Sequence, residues 1–361
     1  MSARLRLART PGIGPIRYFE LVERLGSPEA ALEALPGFGF HPPSERSAEE
    51  ELEALARLGA RPVWFGDDDY PAALSRIADP PPFLATLGDL SHAALPVVAM
   101  VGARNASAAG QRIAERLARA LGEAGFIVVS GLARGIDAAA HRGALASGTI
   151  AVLAGGIDRP YPPQNRALFD AIAADGLALA ENPPGFQARA QDFPRRNRIV
   201  AGLAAGVVVI EAAARSGSLI TARLAAEEGR QVFAVPGSPL DPRNAGCHDL
   251  IRNGATLVTG AEDIAEALAD SILPPPQHRT APKRPARAIS PPPAPAAPAG
   301  GAGPEAENSL LSALGPVPVT VDELARRCHL SSAAVAAMLL DLELAGRVER
   351  HPGQRVSLIS R

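Results

Sequence analysis

Short apolar runs alternate with amphipathic helical stretches between Pro96 and Asp263, and this alternation constrains the fold more than any other feature of the sequence. Continuous apolar runs of this length are typical of strands buried on both faces, and the helices between them supply the crossovers of a parallel sheet. The pattern predicts a Rossmann-like, doubly wound, mostly parallel α/β sheet, in which ligands bind at the carboxyl ends of the strands. The runs lie at Val97–Val101, Phe126–Ser130, Thr149–Leu153, Leu177–Ala180, Val207–Ile210, Val232–Val235 and Thr256–Val258.

Three other segments flank this predicted sheet domain, which we place at residues 79–270. Residues 1–78 are helical in pattern, with a Gly-Ile-Gly turn, and resemble a helix-hairpin-helix (HhH) or sterile-alpha-motif (SAM)-like domain. Residues 271–306 are rich in Pro, Ala and Gly, a composition that predicts an extended linker. Residues 307–361 contain three helical stretches followed by a hairpin, the order of a winged helix.

Composition bounds the class of protein and its partners. The 361 residues are 47% hydrophobic with a formal net charge of -2, which is typical of a soluble globular chain without a global basic field. A site for a polyanion therefore has to be a local cluster. Cys247 and Cys328 form no CxxC pattern, and no apolar run is long enough for a membrane span, so we expect a cytoplasmic protein without metal or cofactor.

The stretch FPRRNRIVAGL, residues 193–203, places basic side chains where a helix disfavours them. Pro194 fits the first helical position, so Arg195, Arg196 and Arg198 fall in the first turn. The helix dipole favours anions at this end, and three cations there oppose it. The arrangement predicts a bound anion.

Arginine recurs in the turns that follow the other predicted strands. Arg104 follows the first strand, Arg134 follows the second in SGLARG, and Arg215 precedes Ser216, Gly217 and Ser218 after the fifth. Turns of this kind aim backbone amides at one edge of the sheet, where anions bind. A single mononucleotide needs one or two arginines, whereas a row of them fits several successive phosphates.

Signatures of an enzyme are weak. The sequence has no G-x-G-x-x-G fingerprint, P-loop or nucleophile elbow. Asp137 and His141 lie four residues apart and could act as an acid and base, although a favourable charge near a helix start explains Asp137 more simply. Glu211 is the best candidate for a catalytic carboxylate; structural pairing with Arg198 or Arg215 is the preferred alternative.

The segments VGARNAS, SGLARGIDAAAH, AGGIDRPYPPQN, FPRRNRI and SGSLITA, in this order, closely resemble the DNA-processing protein A (DprA, also Smf) family over about residues 80–265. The resemblance implies a non-enzymatic homodimer that binds single-stranded DNA and loads the recombinase RecA onto it during natural transformation and homologous recombination. The anion predicted beside Arg195, Arg196 and Arg198 is then a DNA phosphate. Phe193 is either a stacking face for a base or a buried aromatic. Carried over by motif, the DNA-binding residues are Arg104, Ser130, Gly131, Arg134, Arg195, Arg196, Asn197, Arg198, Ser216, Gly217 and Ser218.

An enzymatic alternative comes from the similarity of this fold to nucleotide-binding, lysine-decarboxylase-like nucleoside-monophosphate phosphoribohydrolases. Those enzymes carry a PGGxGTxxE phosphate motif. The corresponding segment here, EAAARSGSLITA, lacks the paired glycines and the glutamate, which argues against hydrolysis.

The two remaining expectations concern the tail domain and the dimer. The third helix of the winged helix, Ser332–Ala345, carries Asp341 and Glu343 but no basic residue, so we expect that it does not read a DNA sequence. Arg347, Arg350 and Arg355 could touch a DNA backbone, or the domain could bind a protein. The resemblance implies a dimer surface near Leu250 and Ile251; core packing explains these two residues equally well.

Overall fold

The structure is a computed structural model that describes residues 1–269, 310–315, 319–328, 330, 332–344, 347–351 and 355–358. The predicted linker, 271–306, lies outside the described residues. The chain divides into two compact units. The first consists of Met1–Glu33 with Pro42–Gln277, and the second of Ala34–His41 with His278–Arg361.

The chain begins with helices, as the pattern predicts, but the helical region ends earlier than residue 78. The last of its four helices, which ends at Arg57, is followed by an edge strand, β1 (Arg61–Trp64), which pairs antiparallel with β2 (Phe83–Gly88). Trp64 is buried against Phe83 with ring centroids 4.9 Å apart, and this packing joins the strand to the sheet. The helices are α1 (Ser2–Arg9), α2 (Pro15–Leu25), α3 (Pro28–Ala34) and α4 (Glu45–Arg57).

The predicted apolar runs all form strands of one nine-stranded sheet. They are β3 (Val97–Gly102), β4 (Ile127–Ser130), β5 (Thr149–Gly156), β6 (Leu177–Asn182), β7 (Gly206–Ile210), β8 (Gln231–Ala234) and β9 (Thr256–Leu257). The spatial order of the sheet is β1-β2-β6-β5-β4-β3-β7-β8-β9. The pairs from β6 to β9 are parallel, whereas β1–β2 and β2–β6 are antiparallel.

Helices cover both faces of the sheet, because alternate strand residues point to opposite sides. On β3, Val98 and Met100 belong to one hydrophobic core cluster, whereas Val97 and Ala99 belong to another. The helices of this domain are α5 (Ala108–Glu123), α6 (Ile136–Ala144), α7 (Arg166–Asp175), α8 (Asp192–Leu203), α9 (Ser218–Glu227), α10 (Ala245–Arg252) and α11 (Ala261–Leu268). The chain reverses its winding direction between β3 and β7, and this reversal is the topological switch point.

The second unit has the predicted order of a winged helix. Residues 310–313 are helical, and α12 (Val321–Cys328) and α13 (Ser332–Leu344) follow. A small sheet has the order β10-β12-β11, with β10 (Val319–Thr320), β11 (Val348–His351) and β12 (Arg355–Leu358). The predicted hairpin tip, Pro352–Gly353, lies outside the described residues.

No helix in the described part of the chain is both long enough and apolar enough to cross a membrane.

Candidate nucleic-acid interface

The turns after β3 and β4 are packed directly against each other at the carboxyl edge of the sheet. The amide of Ile136 donates to the carbonyl of Ala103 at 3.2 Å. Gly135 has φ +76°, and a Cβ there would lie 2.2 Å from the same carbonyl oxygen and 2.8 Å from that of Arg104. Glycine is therefore required at 135 for two reasons, its backbone angle and the close approach of the neighbouring turn. This contact places Arg134 beside Arg104.

The guanidinium of Arg196 lies inside the protein, which the motif alone did not predict. Only 6% of the residue is exposed, and Nη1 donates to the carbonyls of Gly131, at 2.6 Å, and Val152. A Cβ on Gly131 would overlap this guanidinium, so the glycine makes room for it. Burial lowers the pKa of Arg196 to about 10, and the carboxylate of Asp137 opposes that shift. At neutral pH Arg196 is thus a buried cation that ties α8 to the turn after β4 and to β5.

Asp137 and His141 do not form an acid–base pair. Asp137 accepts the amides of Gly131, at 3.1 Å, and Ala133, at 3.3 Å, while burial raises its pKa against the opposing charge of Arg196. His141 Nδ1 lies 2.8 Å from Oγ1 of Thr149, and burial lowers the pKa of His141 to about 3. Asp137 thus fixes the turn after β4, and His141 contacts β5 through Thr149. This agrees with the structural role preferred for Asp137.

Arg198 is also internal, and its partners are carboxylates. Its Nη2 donates to Glu181 at 2.5 Å, and its Nε lies 3.3 Å from a carboxylate oxygen of Asp79. The Arg198 side chain is 8% exposed. Arg195 contacts the same Glu181 at 3.6 Å, but its side chain is 52% exposed. The expectation that three arginines of FPRRNR face a phosphate is therefore corrected, because only Arg195 reaches solvent.

An arginine and two aromatic rings form the outer surface of this edge. The guanidinium carbon of Arg104 lies 5.0 Å from the ring centroid of Phe193, a cation–π distance. Tyr161 also packs against Phe193, and the two ring centroids are 5.6 Å apart. Phe193 is half-buried, and Tyr161 is 54% exposed. Sequence reasoning singled out Phe193 but missed Tyr161, whose position in the turn after a predicted strand was the available signal.

A carboxylate of the chain itself occupies the start of α5 at the switch point. Glu211, at the end of β7, accepts the amide of Ser107 at 2.7 Å and also the hydroxyl of Ser107. Its φ is +50°, and a Cβ on Gly110 would lie 2.5 Å from its carboxyl carbon. The predicted pairing of Glu211 with Arg198 or Arg215 is wrong, because the helix start supplies closer donors. The position at which this fold binds a nucleotide phosphate is filled by an internal anion.

The remaining predicted residues lie in or under the same turns. Ser130 is fully buried and donates to the carbonyl of Met100 at 2.6 Å. Asn197 is half-buried and accepts from Nε of Arg196 at 3.3 Å. In the turn before α9, the hydroxyls of Ser216 and Ser218 lie 2.7 Å apart, with Gly217 exposed between them and Arg215 exposed before them. Within the residues described, no three His, Cys, Asp or Glu side chains are grouped so that they could hold a metal ion.

Comparison with family models covers nearly all of the chain in three segments. Residues 61–269 match the model of DNA recombination-mediator protein A. Residues 1–54 match the DprA-like N-terminal HHH domain, and residues 290–354 match the DprA winged helix domain. The order of these segments agrees with the order of domains predicted from the sequence.

Individual proteins give the same result. Protein Smf of Synechocystis is 35% identical and aligns over 97% of each chain. The X-ray structure of DNA processing protein A from Streptococcus pneumoniae is 36% identical, covers 76% of this chain and 98% of its own, and superposes with a TM-score of 0.65. The Helicobacter pylori protein, whose structure concerns its binding of single-stranded DNA, is 29% identical over 59% of this chain and 97% of its own, with a TM-score of 0.54. The chain therefore belongs to the DNA-processing protein A (DprA) family.

Proposed function

We propose that this protein binds single-stranded DNA at the carboxyl edge of its sheet and acts as a recombination mediator without catalysis of its own. The observation that carries the proposal is the surface formed by Arg104, Arg134, Arg195, Phe193 and Tyr161. It combines exposed guanidinium groups with the exposed ring of Tyr161 and the half-buried ring of Phe193, and cations and aromatic rings are the two components that sequence-tolerant single-strand binding requires. The solved H. pylori relative, described for its single-stranded DNA binding, supports the same ligand.

The predicted binding residues divide into two groups in this proposal. Arg104, Arg134 and Arg195 contact phosphates, because their side chains reach solvent. Arg196 and Arg198 position the turn and helix that carry them, since their guanidinium groups are occupied by protein carbonyls and carboxylates. The other predicted residues shape the turns at the same edge: Ser130, Gly131, Asn197, Ser216, Gly217 and Ser218.

Bases stack on the aromatic part of the surface. Tyr161 and Phe193 present ring faces at the same edge as Arg104, and base–aromatic stacking contributes about 1–3 kcal/mol per base. Stacking of this kind does not depend on the identity of the base. We therefore expect binding with little preference for sequence, which suits a protein that handles DNA strands of any origin.

The enzymatic alternative is disfavoured by Glu211. A phosphoribohydrolase of this fold needs an anion site for the substrate's phosphate at the strand ends. Here the amide and hydroxyl of Ser107 at the start of α5 are already bonded to the Glu211 carboxylate. A phosphate at this position would face a buried negative charge, which it would have to displace.

Loading of RecA onto the bound strand, during natural transformation and homologous recombination, is part of the proposal through family membership. So is a homodimer, for which β9 is the best surface. It is an edge strand of the large sheet, both of its residues are exposed, and Leu257 is 46% exposed. Leu250 and Ile251, by contrast, pack against the core, as the structural alternative expected.

Salt-dependent binding tests the DNA-binding proposal. Fluorescence anisotropy of a labelled oligo-dT is measured across a salt series for the unchanged chain and for Arg104→Gln, Arg134→Gln and Arg195→Gln combined. Because single strands release about 0.7 counterion per neutralised phosphate, the triple variant should bind more weakly and its log–log salt slope should flatten by roughly 2.

The matched control removes three exposed arginines elsewhere: Arg46, Arg57 and Arg61 changed to Gln. Each of these forms an ion pair with a nearby carboxylate, and their side chains are 56–86% exposed. Equal affinities and slopes for the two folded variants would rule out the carboxyl edge as the phosphate-binding surface.

A further inference from the structure

Helix α5 exposes a row of arginines that the site described above does not use. Arg112, Arg116 and Arg119 are exposed, and their spacing of four and three residues places them along one side of the helix. None of the three forms an ion pair or side-chain hydrogen bond with another residue that the structure describes. We call these three residues the α5 ridge.

Several exposed arginines on other helices are paired, although Arg142 on α6 has no ion pair or side-chain hydrogen bond with a described residue; the α5 ridge differs in grouping three such arginines on one side of a helix. Arg46 contacts Glu50 at 2.8 Å, and Arg223 contacts Glu227 at 3.6 Å, each across one helical turn. On α5 the corresponding neighbour of Arg112 is Arg116, a like charge. Like charges four residues apart destabilise a helix, so the Arg112–Arg116 pair has a cost that a bound anion would relieve, whereas Arg119 has carboxylates one turn away on each side.

An open groove between side chains of α5 itself runs along the ridge and gives such an anion a place to lie. Its volume is about 530 Å³, and its lining is Ala109, Arg112, Ile113, Glu115, Arg116 and Arg119. A second groove of about 470 Å³ shares Ile113 and Arg116 with the first and continues to Val235 and Pro236. Three cations and a single carboxylate line the first groove, so its charge complements a polyanion.

The helix that carries the ridge starts close in sequence to the carboxyl-edge surface. α5 begins at Ala108, four residues after Arg104, and extends away from that edge. With a rise of about 1.5 Å per residue, Arg119 lies roughly 16 Å along the helix from its start. A strand that leaves the surface around Arg104 can therefore continue along the groove beside α5.

We propose that the α5 ridge binds the phosphodiester backbone of the same single strand beyond the carboxyl-edge surface. The proposal rests on the proposed function, because the ridge extends that site rather than replacing it. It makes the DNA footprint longer than the aromatic and arginine cluster alone would give. The three guanidinium groups contact successive phosphates, and Ile113, which also lines the groove, contacts the sugars.

The experiment compares two lengths of labelled oligo-dT on the full chain. Single-strand site sizes range from about 4 to 16 nucleotides, so a strand of about 6 nucleotides occupies the carboxyl edge and one of about 30 also reaches the ridge. Arg112→Gln, Arg116→Gln and Arg119→Gln combined should leave the short strand's affinity unchanged. The same variant should weaken binding of the long strand by about tenfold at low salt and flatten its salt slope by roughly 2.

The control is again Arg46, Arg57 and Arg61 changed to Gln, which removes the same charge. Equal binding of the long strand by the ridge and control variants would overturn the proposal. Unchanged DNA binding combined with lost binding of poly-glutamate would assign the groove to an acidic protein segment and overturn it as well. Failure of the unchanged chain to bind either oligonucleotide would instead contradict the proposed function itself, and the ridge proposal with it.

Discussion

At the residue scale, neighbouring arginines of one motif have opposite environments. Arg195 and Arg196 are adjacent in sequence, yet one is half-exposed and the other is buried under two carbonyls. A helix turns by about 100° per residue, so adjacent side chains face different directions. The motif specifies both the surface cation and the internal one that supports it.

This division predicts that replacing Arg196 lowers the stability of the fold, whereas replacing Arg195 weakens DNA binding. Arg196→Met should lower the free energy of unfolding by about 3 kcal/mol, because it leaves Asp137 buried without its counter-charge. Arg195→Met should change it by less than about 0.5 kcal/mol while weakening oligo-dT binding. Urea unfolding and anisotropy on both variants check this. Similar losses of stability in the two proteins would contradict the assigned roles.

His141 gives the protein a predicted pH dependence of stability. Burial lowers its pKa from 6.5 to about 3, so below pH 6.5 the unfolded chain binds a proton at this residue that the folded chain does not. The free energy of unfolding therefore falls as the pH falls through this window, by about 1.4 kcal/mol per pH unit from this group.

His141→Gln should remove that contribution. The measurement is urea unfolding of both proteins at several pH values between about 5 and 6.5, where most carboxylates stay ionised. Asp137, whose pKa is raised, is present in both proteins, so the difference between the slopes isolates His141. Parallel slopes would mean that the histidine is protonated in the folded state.

At the element scale, helix α8 shows why its cationic first turn is tolerated. The sequence pattern predicted a start at Pro194 and an anion nearby; the helix begins at Asp192, and the anions nearest its arginines are protein carboxylates. Glu181, from the end of β6, contacts both Arg195 and Arg198. Glu181 thus supplies an internal anion to these two arginines, because β6 lies beside the helix, whereas a DNA phosphate at Arg195 stays a prediction.

The edge strand β9 carries the dimer prediction. An exposed edge offers unpaired backbone groups, and Leu257 adds an exposed apolar side chain. If two copies meet there, Leu257→Glu should convert the dimer to a monomer, because it places like charges at the interface. Analytical ultracentrifugation measures the outcome.

The control for this change is Leu95→Glu, at a leucine that is 50% exposed away from β9. It should leave the mass unchanged. A dimer that survives Leu257→Glu would exclude this edge as the interface.

At the scale of the whole molecule, the alternating pattern of apolar runs predicted the parallel strands of the sheet, and the three helices of the tail domain were predicted in the correct order. The antiparallel pair β1 and β2 was missed. No crossover helix connects these two strands, whereas crossover helices mark the parallel strands in the sequence. The expectation that α13 does not read a DNA sequence stays a prediction.

The sequence by itself determined the fold class and the family, and it indicated the edge of the sheet at which we propose that DNA binds. These follow from local periodicity and from short motifs, which need no knowledge of distant contacts. Only the tertiary structure decided which charges are available there. Arg196 is bonded to the carbonyls of Gly131 and Val152, and Arg198 to Asp79 and Glu181. The Glu211 carboxylate is bonded to Ser107. These partners come from different strands and turns. Whether a cation faces water or a carboxylate depends on strand order and register, and those are properties of the folded sheet.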